Sequence, residues 1–436
     1  MTDKKINRLY ELFLKYPVIN TDSRKVDQGS LFFALKGENF DGNKFARNAL
    51  SNGAAYAVVD DPSLVNNDRY VLVDDALRTL QLLALHHRKK FNIPFIGITG
   101  SNGKTTTKEL MASVLNQKYK VISTSGNLNN HIGVPLTLLQ LNNNHEIAVI
   151  EMGANHKGEI GTLCEIAQPG YGIITNVGKA HLEGFRSFEG VKKTKKELYD
   201  HIRKNNGTIL INSEDKDLMY MAEGISKITY GYSNNKAEVL AQQIKAEPFL
   251  SIAWKSWKYI EGFSIQTKLL GDYNWSNVMA AITAGNLFEV EPEKINNAIA
   301  AYVPSNNRSQ FLKTSSNEII LDAYNANPTS MEKALQNFFK LNKRKKCVII
   351  GDMLELGEDS PKEHESILEI IHRNRQNLDK VFLVGEQFSS LQMENALTFR
   401  DTDGIKTYLR QQPLKDKTIL IKGSRGNHLE TLTEVL

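Results

Sequence analysis

The segment that most constrains this chain is a glycine-rich loop at residues 99–106, with the sequence Thr-Gly-Ser-Asn-Gly-Lys-Thr-Thr. It lies between an apolar run at residues 94–98 and a stretch whose apolar residues have helical spacing. Such a loop wraps backbone N–H groups around phosphate, and the helix after it points its positive end at the same anion. Lys104 adds a positive charge, and the Thr105 hydroxyl can hold Mg²⁺. The loop therefore predicts a binding site for a nucleoside triphosphate.

This loop differs from the full Walker A pattern, which has a glycine five residues before Gly103, where this chain has Ile98. The shorter form, Gly-x-x-Gly-Lys-Thr, also occurs as a plain glycine-rich turn between a strand and a helix. The buried strand before the loop and the apolar helical face after it favour phosphate binding over that alternative. The candidate phosphate-binding residues are Gly100, Ser101, Asn102, Gly103, Lys104, Thr105 and Thr106.

Composition and charge narrow the classes of protein that fit this chain. Hydrophobic residues make up 41% of its 436 residues and charged residues 24%, as in ordinary globular proteins. The net charge of +5 is small for this length and predicts no nucleic-acid partner. Cys164 and Cys347 are in apolar surroundings and are expected in the core. The chain shows neither a signal-peptide core nor a run of about 20 apolar residues, which predicts a cytoplasmic protein that is not membrane-embedded.

Alternating apolar runs and helical segments predict an α/β fold of three domains, about the number expected for this length. Residues 1–92 are expected to form a small α/β domain. Residues 93–303 form the largest unit, a mostly parallel sheet with helices on both faces and a β-richer part from about 208 to 270. Residues 304–436 alternate four strand candidates with helices, which is typical of a Rossmann-like domain.

Three polar residues follow predicted strands, at the sheet edge where ligands gather in open α/β folds. Glu151 comes directly after the apolar run 147–150 and is suited to hold Mg²⁺, although a carboxylate at a helix N-terminus would occupy the same place. His181 lies in a loop after another strand, where it can serve a metal or a phosphate or make an ordinary hydrogen bond. Asp322 opens a polar loop that either contacts a nucleotide or caps the helix beginning near Thr329.

These motifs, spread over nearly the whole chain, resemble those of the ATP-dependent Mur ligases of bacterial cell-wall synthesis. The short phosphate loop at 100–105 is the form found in that family, with its central domain of the P-loop ATPase type. Segments 127–133, 151–154 and 175–182 match its asparagine-rich segment, its acidic magnesium site and the segment with its metal-site histidine. Segment 271–277 matches the part near adenine, where Asn274 and Asn277 are kept and Tyr273 replaces the usual histidine.

The resemblance also assigns roles in the outer domains. The first domain looks like the family's UDP-binding domain, which places Ser23 and Arg24 in the uridine-nucleotide site. Third-domain segments 324–328, 351–357 and 422–426 are similar to those of the member that adds D-alanyl-D-alanine. The Asp-Asn-Pro-Arg motif that selects a diamino acid in a related member is absent. The further residues implied are Arg308 and Asp322 at the phosphate and ribose, and Asn325 and Asn327 as substrate-binding residues.

A carbamylated lysine at Lys195 is a further implication of the resemblance. A carbamate forms from a neutral amine, which burial near a metal favours. The family spacing to Glu197 and Leu198 points to Lys195 within the lysine run 192–196, and the competing interpretation is a solvated helix face. The implied catalytic residues are Lys104, Glu151, His181 and Lys195, and the implied ligands of two Mg²⁺ ions are Thr105, Glu151, His181 and Lys195.

The resemblance thus implies a monomeric enzyme that uses ATP and Mg²⁺ to join UDP-N-acetylmuramoyl-tripeptide to D-alanyl-D-alanine, its expected small-molecule partners. The nearest alternative is the ligase of the same pathway that adds the third peptide residue. Folylpolyglutamate synthetase shares the ATP core but not a UDP-binding domain. A P-loop switch protein would carry a guanine-specifying Asn-Lys-x-Asp, which this sequence lacks. An inactive UDP-sugar-binding scaffold is disfavoured because the four implied catalytic residues are all present.

Overall fold

Three mainly parallel β-sheets organise the computed structural model, which describes residues 3–232 and 236–436. They occupy residues 19–72, 95–270 and 310–422. The three-domain α/β fold that the sequence predicts is therefore confirmed. The exact domain boundaries, 92/93 and 303/304, fall between the sheets and stay predictions.

The N-terminal domain is a small parallel sheet with helices packed on it. Its elements are α1 (Asp3–Lys15), β1 (Ile19–Asn20), β2 (Leu31–Phe33), β3 (Lys36–Gly37), β4 (Phe40–Asp41), α2 (Ala46–Ser51), β5 (Tyr56–Val59), β6 (Tyr70–Leu72) and α3 (Ala76–Arg88). The main sheet has the strand order β1-β2-β5-β6, all parallel, while β3 and β4 form a separate antiparallel pair. Short 3₁₀ turns at Gly42–Phe45 and Pro62–Leu64 complete the domain.

The central domain holds the largest sheet. Its elements are β7 (Phe95–Thr99), α4 (Lys104–Leu115), β8 (Val121–Ser123), α5 (Gly133–Leu138), β9 (Ile147–Glu151), α6 (Glu159–Ala167), β10 (Tyr171–Ile174), α7 (Leu182–Phe185), α8 (Phe188–Lys204), β11 (Thr208–Asn212), α9 (Lys216–Met221), β12 (Ser226–Gly231), β13 (Val239–Ala246), β14 (Phe249–Ser256), β15 (Tyr259–Leu270), α10 (Trp275–Leu287) and α11 (Pro292–Ala301). The strand order is β15-β14-β13-β12-β11-β10-β7-β9-β8, parallel from β8 to β13 and antiparallel in β14 and β15.

Helices cover both faces of the central sheet, because alternate residues of its strands point to opposite sides. On one face Ile98 and Val149 pack against α4 and α10. On the other face Phe95 and Ile150 pack against α3, α6 and α8, in a core cluster that continues into the N-terminal and C-terminal domains. The phosphate loop follows β7, in which every residue is buried, as in the neighbouring β9.

The C-terminal domain has a six-stranded sheet of Rossmann type. Its elements are β16 (Gln310–Lys313), β17 (Asn317–Asp322), α12 (Pro328–Lys340), β18 (Lys346–Gly351), α13 (Ser360–Arg373), β19 (Lys380–Val384), α14 (Glu386–Ser389), β20 (Leu397–Phe399), α15 (Thr402–Gln411) and β21 (Lys417–Lys422). The strand order is β16-β17-β21-β18-β19-β20, and only β16 pairs in the antiparallel sense. The carboxyl ends of β17, β18 and β21 carry the loops that face the central domain.

The two cysteines and the first helix can be compared directly with the sequence. Cys164 and Cys347 are buried and free, as predicted. The helix α1 was missed, although Ile6, Leu9 and Phe13 lie on its buried face at helical spacing among charged residues. Across the described part of the chain, no helix is long and apolar enough to cross a membrane.

Arg88, at the end of α3, joins the N-terminal and central domains. Its guanidinium donates hydrogen bonds to the carbonyls of Ala167 (2.8 Å), Gln168 (3.0 Å) and Phe91 (2.9 Å). It also lies 3.4 Å from the ring centroid of Phe95. Burial lowers the pKa of Arg88 to about 10, so the group remains charged at neutral pH. A cation here satisfies the last carbonyls of α6 and the negative end of that helix.

Replacing Arg88 by alanine is expected to lower the free energy of unfolding by about 2–4 kcal/mol, because three carbonyls lose a charged donor. Chemical denaturation followed by circular dichroism measures the loss. The control is Arg78→Ala on the exposed face of the same helix, which should change stability by no more than about 0.5 kcal/mol. Equal midpoints for the two variants would contradict this role.

Candidate active site

A cavity of about 1300 Å³ lies between the central and C-terminal domains, at the carboxyl ends of β7, β9 and β17. The structure brings most of the predicted site residues to its wall. Those residues are Ser101, Asn102, Gly103, Lys104, Thr105, Thr106, Glu151, His181, Asn274, Asn277, Arg308, Asp322, Asn325 and Asn327. Four predicted residues do not line it: Gly100, Lys195, Ser23 and Arg24.

The phosphate loop is built on two glycines that no other residue replaces without strain. Gly100 has φ 145° and Gly103 has φ 81°, both in the range that favours glycine. A Cβ atom on Gly100 would overlap the hydroxyl of Thr175, and one on Gly103 would lie 2.5 Å from Oδ1 of Asn277. Ile98, at the position of the missing Walker glycine, is fully buried in β7. The tight part of the loop therefore starts at Gly100, which explains why residue 98 is apolar.

The segment after β10 braces the loop through hydrogen bonds. The Ser101 N–H donates to the Asn176 carbonyl (3.0 Å), and the Asn102 N–H donates to Oδ1 of Asn176 (3.1 Å). The Asn102 carbonyl accepts from the Thr175 hydroxyl (2.6 Å) and from Nδ2 of Asn176 (2.9 Å). These contacts fix the loop backbone from behind, so its open side faces the cavity.

Lys104 lies folded over its own loop. Its ammonium donates to the carbonyls of Gly100 (2.7 Å) and Ser101 (3.3 Å). Desolvation lowers the pKa of Lys104, the negative charge of Glu151 opposes this, and the charge of Arg308 adds to it. A cation held in this way can move to an entering polyanion by exchanging carbonyl oxygens for phosphate oxygens.

Glu151 presents an unsatisfied oxygen to the cavity. Its Oε1 accepts hydrogen bonds from the Thr105 hydroxyl (3.2 Å) and from Nδ2 of Asn129 (2.7 Å). Among the described residues its buried Oε2 has no partner. A buried carboxylate oxygen without a partner is costly and is suited to a cation. The residue is 1% exposed and ends β9, so it is a strand-end carboxylate and does not begin a helix.

His181 meets the C-terminal domain. Its Nδ1 lies 2.5 Å from Oε2 of Glu355, and both residues line the cavity. The contact with His181 holds the pKa of Glu355 below its ordinary value. Close by, the ammonium of Lys179 lies 2.5 Å from Oε1 of Glu363, and the Lys179 N–H donates to the hydroxyl of Thr329. The histidine therefore lies at a boundary that both domains build.

Lys195 is buried beneath the cavity wall on α8. It is 1% exposed, whereas Lys193 is exposed, Lys192 pairs with Asp217 and Lys196 pairs with Asp200. No carboxylate of the described chain lies within ion-pair distance of Lys195. Burial, and secondarily the charge of Lys104, lower the pKa of Lys195 to about 7. The amine is therefore substantially neutral near pH 7, unlike that of an ordinary lysine.

The C-terminal domain supplies further charged groups. The Arg308 guanidinium stacks 3.5 Å from the ring centroid of Tyr324, and its buried Nε has no partner among the described residues. Asp322 accepts hydrogen bonds from the ammonium of Lys422 (2.6 Å) and from the Ser309 N–H (3.1 Å). The loop at 322–328 was expected either to contact a nucleotide or to cap the following helix. It does cap α12, through a residue other than Asp322.

The cap is Asn327. Its side chain accepts from the Ser330 N–H, and the Ser330 hydroxyl accepts from the Asn327 N–H, which is a reciprocal capping box. The same side chain donates from Nδ2 to Oδ1 of Asn102 (2.8 Å), in the phosphate loop. Asp322 and Asn325 do not cap the helix and line the cavity.

The two asparagines of segment 271–277, Asn274 and Asn277, lie beneath the loop and support it. Asn277 accepts a hydrogen bond from the hydroxyl of Thr107 and donates to Oδ1 of Asn274, which in turn donates to the Leu270 carbonyl. Tyr273 makes a hydrogen bond to the Ser309 hydroxyl (2.9 Å), and burial raises the pKa of its phenol. Asn274 and Asn277 are 4% and 7% exposed, so each also holds the fold beneath the site.

The N-terminal candidates lie apart from the cavity. Ser23 and Arg24 follow β1, and the Arg24 guanidinium makes an exposed bidentate contact with Asp22 (2.9 and 2.8 Å). Their assignment to a uridine-nucleotide site stays a prediction.

Sequence reasoning missed three residues of the site: Asn129, Glu355 and Lys422. Each belongs to a segment that had been singled out as a motif, but its partner is distant in sequence. Asn129 contacts Glu151, Glu355 contacts His181 and Lys422 contacts Asp322. The available signal was a polar residue inside a motif; the pairing appears only in three dimensions.

Three family models match the chain in order. They are "Mur ligase family, catalytic domain" at residues 15–129, "Mur ligase middle domain" at residues 98–285 and "Mur ligase, glutamate ligase domain" at residues 307–425.

Individual relatives match along nearly the full length. A Bacillus subtilis (strain 168) protein named UDP-N-acetylmuramoyl-tripeptide--D-alanyl-D-alanine ligase is 37% identical, over 96% of this chain and 92% of that protein. The crystal structure of MurF from Acinetobacter baumannii has a TM-score of 0.87 at 29% identity, covering 99% of this chain and 98% of that one. MurF ligase from Thermotoga maritima in complex with ADP has a TM-score of 0.85 at 27% identity, covering 100% and 98%.

Gly100→Ala is expected to weaken ATP binding by about tenfold or more, because the strained backbone costs about 1–3 kcal/mol and the new Cβ displaces Thr175. Isothermal titration calorimetry measures the dissociation constant. The matched control is Gly170→Ala, where a Cβ meets open space and affinity should be unchanged. Equal ATP affinity of the two variants would show that the loop geometry does not matter for binding.

Proposed function

The chain belongs to the Mur ligase family, and we infer from this that it is the ATP-dependent ligase that joins D-alanyl-D-alanine to UDP-N-acetylmuramoyl-tripeptide. The product is the pentapeptide precursor of peptidoglycan. Full-length identity of 37% to a protein named for that reaction supports the choice of substrates. The structural observation that supports this function is the cavity shared by the central and C-terminal domains. In it the phosphate loop and Glu151 face the third-domain loops at 322–328 and 422–426.

The reaction has to activate a carboxylate, which is a poor electrophile at neutral pH. Transfer of the γ-phosphoryl group of ATP to the terminal carboxylate of the tripeptide gives an acyl phosphate and ADP. The dipeptide amine then attacks the acyl carbon, the amide bond forms, and phosphate leaves. The protein contributes positioning and charge neutralisation, as in other phosphoryl transfers.

The loop residues hold the ATP phosphates in this proposal. Backbone N–H groups of 100–105 and the positive end of α4 face the β- and γ-phosphates. The ammonium of Lys104 leaves the Gly100 carbonyl and follows the γ-phosphoryl group, where developing charge is largest. Asn274 and Asn277 lie on the adenine side, and Arg308 and Asp322 approach the phosphate and ribose from the C-terminal domain.

Magnesium fits the residues present. The free Oε2 of Glu151 and the Thr105 hydroxyl are hard oxygen ligands, and Mg²⁺ commonly uses one or two carboxylates together with substrate phosphates and water. The described residues contain no cluster of three acidic, histidine or cysteine side chains that would make a cage without the nucleotide. When bound, the ion neutralises phosphoryl oxygens. His181 and carbamylated Lys195 are our candidates for a second ion.

Burial supports Lys195 as the carbamate. The neutral amine adds to CO₂ and loses a proton, which gives an anionic carbamate. The positive charge of Lys104 disfavours the protonated form of Lys195 and would favour the anion.

The remaining assignments rest on the resemblance and on the cavity. Ser23 and Arg24 are proposed for the uridine nucleotide, and Asn325 and Asn327 for substrate. Action as a monomer is likewise proposed from the resemblance. The nucleotide-linked substrates point to the cytoplasm as the place of reaction.

A panel of amino acceptors tests the function. We expect phosphate release from ATP with UDP-N-acetylmuramoyl-tripeptide and D-alanyl-D-alanine, and little release when L-lysine or diaminopimelate is supplied with the UDP-dipeptide. The assay is coupled to mass detection of the UDP-pentapeptide. Ligation of a free diamino acid in place of the dipeptide would assign the chain to the step that adds the third residue.

Lys195→Ala should lower kcat by at least about 100-fold and regain activity when a short-chain acid such as acetate or propionate is added, because the added carboxylate replaces the carbamate. Steady-state phosphate release measures both effects. Lys193→Ala, on the exposed side of the same helix, is the control and should keep full activity with no response to acid. Full activity of unrescued Lys195→Ala would remove the carbamate from the mechanism.

A further inference from the structure

The segment of residues 302–309 connects α11 of the central domain to β16 of the C-terminal domain, and it carries Arg308. The proposed function gives Arg308 a task at the ATP phosphates. Its guanidinium lies against the ring of Tyr324, and its buried Nε has no partner in the described parts of the chain. Apart from that stacking, the position of the guanidinium depends on the backbone of the connecting segment.

This backbone has an unusual conformation. Asn306, Asn307 and Ser309 have φ 58°, 57° and 48°, in the left-handed region that asparagine tolerates and serine rarely adopts. Such a conformation persists where neighbouring groups hold it. On the side of the C-terminal domain, the Asn307 carbonyl accepts a hydrogen bond from the Tyr324 N–H (3.1 Å). The Ser309 N–H donates to Oδ1 of Asp322 (3.1 Å).

Tyr273 contacts the same turn from the central domain. It follows β15 in a short 3₁₀ turn, Asp272–Asn274, and its hydroxyl shares a hydrogen bond of 2.9 Å with the hydroxyl of Ser309. Gly271, with φ 85°, precedes this 3₁₀ turn, and a Cβ atom on it would lie 2.4 Å from Cε1 of Tyr273. The glycine therefore allows the ring to lie close to its own backbone while the hydroxyl reaches Ser309.

Ser309 is thus held by both domains, through its hydroxyl to Tyr273 and through its N–H to Asp322. The other oxygen of Asp322 accepts a hydrogen bond from the ammonium of Lys422 (2.6 Å), which fixes the carboxylate. Burial, and secondarily the charge of Asp322, raise the pKa of the Tyr273 phenol, so the hydroxyl keeps its proton at neutral pH. Tyr273, Arg308, Ser309 and Asp322 all line the cavity.

We propose that Tyr273 is a positioning residue, whose hydroxyl fixes the turn at Ser309 and thereby places Arg308 and Asp322 against the bound nucleotide. Tyr273 belongs to the central domain, and Ser309 directly precedes the first strand of the C-terminal domain. The same hydrogen bond therefore also sets how the nucleotide-binding groups of the two domains face each other. This inference rests on the proposed function for ATP as the ligand, but not for the contact itself.

Tyr119 offers a matched control. Its hydroxyl donates to the Phe288 carbonyl (2.8 Å) within the central domain, and it does not line the cavity. Tyr119→Phe and Tyr273→Phe therefore each remove one hydroxyl and one hydrogen bond and keep the aromatic ring. Both changes leave a polar partner without its hydrogen bond and should lower the melting temperature. Only Tyr273→Phe should also change the nucleotide site.

Nucleotide affinity is the first test, measured by isothermal titration calorimetry with Mg²⁺ and a non-hydrolysable ATP analogue. Tyr273→Phe and Ser309→Ala should each weaken binding about three- to tenfold, the loss that one hydrogen bond commonly causes. The double variant should lose less than twofold beyond the weaker-binding single variant, because both changes remove the same contact. Tyr119→Phe should bind within twofold of wild type. A loss below threefold in Tyr273→Phe, an equal loss in Tyr119→Phe, or additive losses with Ser309→Ala would each overturn the proposal.

The second test needs neither nucleotide nor turnover. Hydrogen–deuterium exchange of the apo protein is followed by mass spectrometry of peptides that contain the amides of Ser309 and Tyr324, both hydrogen-bonded at this turn. Tyr273→Phe should speed exchange there by about three- to tenfold, whereas Tyr119→Phe should not. Unchanged exchange in Tyr273→Phe would overturn the inference, even if D-alanyl-D-alanine ligation is found. Faster exchange and weaker ATP binding together with failed ligation would instead count against the proposed function.

Discussion

The hydrogen bonds between the phosphate loop and the segment after β10 are the contacts on which the rest of this structure depends. Ser101 and Asn102 are tied to Thr175 and Asn176. The segment then continues through the residues that meet the C-terminal domain. One continuous stretch of chain, 175–183, thus sets the shape of the nucleotide site and the seat of the third domain. Within the loop, glycine is required where the backbone touches that stretch, at Gly100, and where it touches Asn277, at Gly103.

The site is built from charges whose partners are missing until substrates arrive. Lys104 has only carbonyl oxygens, Glu151 keeps one oxygen without a partner, and Lys195 has no carboxylate within reach in the described chain. For the two lysines, burial without an opposite charge in contact lowers the pKa. Under the proposed function, polyphosphate, metal and carbon dioxide would each supply the opposite charge, so binding energy would be directed to the atoms that react.

The sequence predicts the architecture well and the contacts poorly. Strand and helix periodicity is local, so β7, β9, α4 and the Rossmann-like third domain follow from patterns within about 20 residues. The phosphate loop is likewise a local motif. Helix α1 was missed because its three buried residues are separated by charged and exposed ones. The pairings of Glu355 with His181 and of Asn327 with Asn102 join residues whose separation no pattern records. Burial of Lys195 among exposed lysines also depends on which face of α8 meets the sheet.

Ion pairs at the boundary between the central and C-terminal domains make that boundary sensitive to salt concentration. Lys340–Asp272, Lys179–Glu363 and His181–Glu355 all keep at least one member substantially exposed. Exposed pairs of this kind contribute about 0–1 kcal/mol each and are screened over about 8 Å at physiological ionic strength. These ion pairs therefore add little to a boundary that apolar contacts such as Phe249–Phe311 and the Asn102–Asn327 hydrogen bond also hold. Dissolved salt therefore weakens contacts at the boundary with the C-terminal domain and hardly affects the apolar contacts that join the N-terminal domain to the central one.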